Sequence, residues 1–344
     1  MFSGCYTALI TPFKNYEIDL EGLEKLVEFQ IAGGVSGILA VGTTGESPTL
    51  TWEEHNEVIR FVAEKCRGKC QSIAGTGSNN TRETMESTEH AVQVGVDAAL
   101  LVDPYYNGPS SLEIRREYVA PVANKFPQIQ IIPYVIPGRT GAQLLPEDLA
   151  LLHKQFANMS TVKEATGNIG NMKRTRDCCG KDFTILSGDD DMTFTMMTDP
   201  SIKARGVISV ASNIAPRAVH EMTTLLNQGK QAEAEKLMVA LKPLFGIVTV
   251  KTQEETPYGA VTCRARNPLA TKTLMAILGM PVGPCRPPLG KMTKNGIKVV
   301  LDVGRTVWKN NPEILKPIAD FFDADIEARL YDESILAGLI YDQY

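Results

Sequence analysis

Short apolar runs rich in β-branched residues recur through the first two thirds of the chain. They fall at residues 6–10, 37–41, 71–74, 98–102, 130–134, 161–163, 183–187 and 206–210. Each is nearly continuous rather than alternating, the pattern of a parallel strand covered on its outer side. Between them the apolar positions switch to a helical period. Leu20, Leu23, Val27 and Ile31, for instance, share one helix face. Two such stretches open with the spacing of a capping box, Thr51 with Glu54 and Asn80 with Glu83, and a third opens on Pro146. Strand–helix alternation repeated in this way predicts an α/β chain folded as a (β/α)8 TIM barrel.

After about residue 227 the strand signals stop. Residues 230–278 read as helices broken at Pro243 and Pro257, and a Pro-rich joint follows at 280–290. Beyond it come another helix and an acidic amphipathic tail, 313–344, with Ile318, Phe321, Phe322, Ile326 and Leu330 marking its apolar face. The tail is expected to pack on the barrel or on a neighbouring subunit. The expected division is a catalytic barrel, 1–228, and a C-terminal helical domain, 229–344.

Composition narrows the class. The 344 residues are 43% hydrophobic and 22% charged, with a formal net charge of -5. That supports a large core, and the lack of a Lys/Arg block argues against nucleic acid or an anionic membrane as partner. No apolar run approaches the ~20 residues that span a bilayer. The start lacks the basic segment and apolar core of a signal peptide, which points to a cytoplasmic protein. The 7 cysteines are scattered without a zinc spacing and are expected to be reduced thiols. His55, His90, His153 and His220 all fall in helical patterns, so no metal site is expected at the strand ends.

In such barrels the chemistry sits on loops after the carboxyl ends of the strands. There the sixth run ends in Lys163. A buried amine loses its charge because desolvation disfavours the ammonium, and the neutral form can attack a carbonyl to make a Schiff base. The bland alternative is a lysine that snorkels into solvent or pairs with Glu164. Gly42-Thr43-Thr44-Gly45-Glu46-Ser47, after the second run, can aim N–H groups at a carboxylate, although a plain tight turn has the same composition. Tyr105 and Tyr106 follow the fourth run, and Tyr134 ends the fifth with Arg139 in its loop. A tyrosine hydroxyl can exchange protons with a threonine hydroxyl, or simply pack. Asp189-Asp190-Asp191 occupy a loop where many barrels hold phosphate, and would repel one. A small unphosphorylated oxo-acid is therefore expected, and pyridoxal phosphate is disfavoured.

These loops carry GTTGES at 42–47, AGTGSN at 74–79, PYYN at 104–107, Y-x-x-P-x-R-T-G at 134–141, KEATGN at 163–168, SGDD at 187–190 and GVISV at 206–210. Over roughly residues 1–300 the chain resembles the dihydrodipicolinate synthase / N-acetylneuraminate lyase family of Schiff-base barrels. The resemblance implies that Lys163 forms an imine with pyruvate, with no other cofactor. The derived enamine would attack aspartate semialdehyde, and cyclisation would release a hydroxylated tetrahydrodipicolinate on the route to lysine and diaminopimelate. It further implies a proton relay of Tyr134, Thr43 and Tyr106, the last reaching in from a neighbouring subunit of a homo-oligomer, typically a tetramer. Thr44 and Gly45 would hold the pyruvate carboxylate, with Ile208 and Gly188 lining the pocket, and Arg139 would bind the second substrate. L-Lysine is a possible effector, at Ser47, Trp52, His55, Asn79, Glu83 and Tyr105.

Two features depart from the family pattern: Val135 stands where an Asn is usual, and the tail after about residue 311 is extra. Two alternatives stay open. One is the same chemistry on N-acetylneuraminate or a 2-keto-3-deoxy sugar acid, which Arg139 and KEATGN argue against. The other is a ligand-binding barrel without catalysis, which the complete relay argues against.

Overall fold

Eight strands close into a parallel barrel among residues 2–344, the part of the chain described by the computed structural model. They are Gly4–Ala8 (β1), Gly37–Ala40 (β2), Gln71–Gly75 (β3), Ala98–Val102 (β4), Gln130–Val135 (β5), Thr161–Glu164 (β6), Thr184–Ser187 (β7) and Gly206–Ser209 (β8). Each pairs with its sequence neighbour, and β8 closes on β1 with Gly4 opposite Gly206. The first strand sits two residues earlier than its apolar run predicts. Leu9 and Ile10 instead lead into the mouth, where Ile10 N–H donates to Asn213 Oδ1.

Alternation along the strands sorts the side chains. Tyr6, Leu39, Ile73, Leu100, Ile132, Tyr134 and Ile208 fill the barrel, while the other set packs under the surrounding helices. Val135 belongs to that outer layer, which explains why an apolar residue is tolerated there. The helix Trp52–Cys66 has the full capping box expected of Thr51 and Glu54. The second expected box does not form. Asn80 does cap its helix, through Arg82 N–H, but Glu83 turns away and accepts from Ser78 Oγ at 2.5 Å.

The C-terminal region corrects the all-helical expectation for 230–278. Pro243 lies within the helix Gln231–Gly246 rather than breaking it. An antiparallel hairpin then follows, Thr249–Thr256 (β9) and Gly259–Arg266 (β10), with Pro257 in its turn. The helix Leu269–Ile277 comes after it. The tail does pack on the barrel: Ile318, Ile326 and Leu330 are buried in the core shared with it, and the Phe321 and Phe322 rings lie against Phe29. No helix among the described residues is long and apolar enough to cross a membrane. All 7 cysteines are free thiols.

Candidate active site

Lys163 lies one residue before the end of β6, in register with Tyr134 of β5. It is 4% exposed, and its Nζ sits 4.0 Å from the centre of the Tyr134 ring. Burial lowers its pKa to about 8, against the opposing pull of Asp189 and Asp190. Pairing with Glu164 is excluded, because Glu164 accepts from Thr166 N–H and Asn171 Nδ2 on the other side of the strand. Gly188 makes room for the lysine: a Cβ there would lie 2.7 Å from Ala165 Cβ and 3.2 Å from Lys163 Cε. Ile208 is fully buried in the barrel interior beside this cluster.

Burial also raises the pKa of the Tyr134 phenol, which the charge of Arg139 and, to a lesser degree, the Thr43 side chain partly offset. Thr43, Tyr134, Arg139, Tyr105 and Ser47 line a cavity of about 210 Å³ at the barrel mouth. A roomier one, about 420 Å³, is walled by the hairpin, the start of the helix Lys294–Asn310 and the C-terminal residues. It holds none of the loop residues at the barrel mouth, so size is no guide to the chemistry.

The glycine-rich loop is tightly built. Val41 and Glu46 take positive φ, 47° and 58°, a strained conformation for a β-branched residue above all. A Cβ on Gly45 would meet Val41 Cα at 3.0 Å and Leu9 O at 3.1 Å. Among the described residues, the N–H groups of Thr44 and Gly45 donate to no protein acceptor. Thr44 itself is buried, its hydroxyl accepting from Asn267 Nδ2 at 2.9 Å. Arg139 lies in the short helix Pro137–Thr140, half-buried, with Nη2 3.5 Å from the carbonyl of Asn267.

Tyr106 is the member of the expected relay that this chain does not bring in. It is 93% exposed at φ 79°, pointing away from its own barrel. The lysine-effector set falls into two adjoining groups. Ser47 Oγ lies 3.0 Å from His55 Nε2, and the Trp52 ring meets the His55 ring edge-on. Asn79 Oδ1 accepts from Tyr105 N–H, near Glu83 on the next helix. His55 is buried with its Nδ1 unpartnered, and burial lowers its pKa to about 4.

The aspartate loop works differently from a simple repulsive patch. Asp190 is buried and accepts from Ser209 Oγ, Val210 N–H and Ala211 N–H. The backbone donors that a phosphate would need after β8 are thereby occupied. Sequence reasoning missed Glu46, Asn267, Lys272 and Arg286. Glu46 is buried under its loop, where Oε1 takes Lys272 Nζ at 2.7 Å and Oε2 takes Arg286 N–H at 2.9 Å. Lys272 and Arg286, like the Asn267 that meets Thr44, lie some 220 to 240 residues away in sequence, and the Asn267-Pro268 dipeptide is the one local turn signal among them.

The family model described as the dihydrodipicolinate synthetase family matches residues 1–301. The 4-hydroxy-tetrahydrodipicolinate synthase of Methanococcus maripaludis is 39% identical over 292 residues, covering 85% of this chain and 94% of that protein. The crystal structure of dihydrodipicolinate synthase from Aquifex aeolicus superposes with a TM-score of 0.81 at 37% identity, covering 92% of this chain and 100% of that one. DHDPS from Cyanidioschyzon merolae with lysine bound superposes with a TM-score of 0.80 at 34% identity, covering 89% and 98%. With a buried lysine at the barrel mouth and a match over most of its length, the chain belongs to the dihydrodipicolinate synthetase family.

Proposed function

We propose that the protein is a 4-hydroxy-tetrahydrodipicolinate synthase, condensing pyruvate with L-aspartate 4-semialdehyde. The observation that carries this reading is the buried Lys163 amine, unpaired among the described residues, with its pKa lowered to about 8 beside Tyr134. Its nitrogen attacks the keto carbon of pyruvate, water leaves, and the iminium gives up a methyl proton to become an enamine. The enamine carbon bonds to the aldehyde carbon of the semialdehyde. The semialdehyde's own amine then displaces Lys163 as the ring closes. Thr43 and Tyr134, with Tyr106 supplied by a second subunit, move the protons. Thr44 and Gly45 N–H groups receive the pyruvate carboxylate, Ile208 and Gly188 shape the pocket floor, and Arg139 takes the semialdehyde carboxylate. The chemistry draws on Lys163 and calls for no cofactor.

The exposure of Tyr106 favours a homo-oligomer whose partner receives that ring. L-Lysine is proposed as an effector at Ser47, Trp52, His55, Asn79, Glu83 and Tyr105, beside the same cavity. The test is borohydride reduction in the presence of pyruvate, followed by peptide mapping. A pyruvyl adduct on Lys163, with turnover of the semialdehyde and not of sugar acids, is the expected result. An unmodified Lys163 would sink the reading.

A further inference from the structure

The hairpin lays one face on the helix Lys294–Asn310, where Glu254 accepts from Asn295 Nδ2 at 3.0 Å. Its other face is turned outward and is basic at the base. There Lys251 stands directly opposite Arg264, and Thr249 opposite Arg266. Like charges paired across two strands destabilise a hairpin. Yet among the described residues none of these three cations has an acidic partner. The arrangement also runs against a chain whose formal net charge is -5. Folding gives no reason for it.

Position gives one. Arg266 Nη2 reaches the carbonyl of Gly138, next to Arg139, at 3.3 Å, and the next residue is the Asn267 that touches both Thr44 and Arg139. The hollow walled by Thr249, Lys251, Arg264 and Arg266, about 430 Å³ in volume, therefore abuts the loops proposed to hold both substrate carboxylates. We propose that the outward face of the hairpin, Lys251, Arg264 and Arg266 running on to Arg139, is a cationic approach that gathers singly charged carboxylate substrate to the barrel mouth. This rests on the pyruvate-condensing reading of the site.

The two substrates supply an internal control. Pyruvate is a net anion, whereas aspartate semialdehyde carries an ammonium beside its carboxylate and has no net charge. A field acting at a distance therefore sorts them. For Lys251→Glu with Arg264→Glu, the expected result is about a tenfold fall in kcat/KM for pyruvate at low ionic strength. The change should lie in KM, with kcat and the semialdehyde KM within about twofold of wild type. The wild type should lose its advantage as salt shortens the Debye length to about 10 Å at 0.1 M. The neutral pair Lys251→Gln with Arg264→Gln should show a smaller fall in the same constant and an unchanged or raised melting temperature, since it removes a like-charge pair. An unchanged pyruvate KM in both variants would overturn the inference. So would equal rises in both KM values, which mean that Arg139 has been displaced. A wild type that forms the Lys163 adduct but shows no salt dependence defeats only this inference. One that forms no adduct defeats the reading beneath it.

Discussion

Two lysines are buried in this molecule, and they lead different lives. Lys272 is 2% exposed and sits over the Phe13 ring. Its ammonium donates to Glu46 Oε1, to the carbonyl of Thr11 at 3.0 Å and to that of Pro284 at 3.1 Å. All three of its protons have acceptors. Lys163 is 4% exposed and also faces a ring, yet among the described residues its nitrogen has no hydrogen-bond partner. Burial is common to both, so burial alone does not make an amine reactive. What separates them is whether the ammonium is satisfied. A saturated ammonium pins two segments together, whereas an unsatisfied one sheds its proton and exposes a lone pair.

Exchanging each lysine for methionine tests that contrast most directly. Lys163→Met should take turnover and the pyruvate adduct to background while leaving the melting temperature level or higher, because no partner is orphaned. A large drop in melting temperature would break the comparison. Lys272→Met should cost about 3–5 kcal/mol in denaturant unfolding, because it leaves Glu46 charged and buried without its counter-ion. Adding Glu46→Gln to Lys272→Met should recover part of that loss. Tyr106→Phe removes only a relayed proton and should lower kcat by about 10²-fold, with the pyruvate KM little changed.

The smallest effect is graded. The rate of pyruvate capture should climb as pH rises through about 8, because the deprotonated amine attacks. Below that point it should fall about tenfold per pH unit. The folded state holds the Lys163 pKa below its unfolded value, so the same burial destabilises the fold fully at pH below about 8. That penalty fades as pH rises toward the ordinary lysine value. A capture limb at the ordinary lysine value would mean that the Lys163 site does not favour the neutral amine.

The barrel was legible because its strands are buried on both faces and so read as unbroken apolar runs. The hairpin was not. Along β9 only Val250 and Glu254 are buried, and a polar, half-exposed strand with one apolar anchor carries no such run. Pro257 looks like a helix breaker until the turn it sits in is seen. At the site, Lys163, Tyr134 and Thr43 were readable because they sit at or just beyond the ends of short strands in a repeating architecture. Glu46 stood in plain view inside GTTGES, but its role depends on Lys272 and Arg286, whose arrival no local pattern encodes. Glu83 shows the converse: its spacing from Asn80 suits a cap, yet Ser78 is the nearer partner.

The Pro-rich joint reaches back a long way. Arg286 stacks on Phe13 and grips Glu54 while its backbone holds Glu46, and Asn267 braces Thr44. A ribosome therefore synthesises the nucleophile and the glycine-rich loop well before the residues that buttress that loop. Until those later segments emerge, the nascent chain carries a lysine without a finished receptacle for a keto-acid, and activity waits on the synthesis of Arg286.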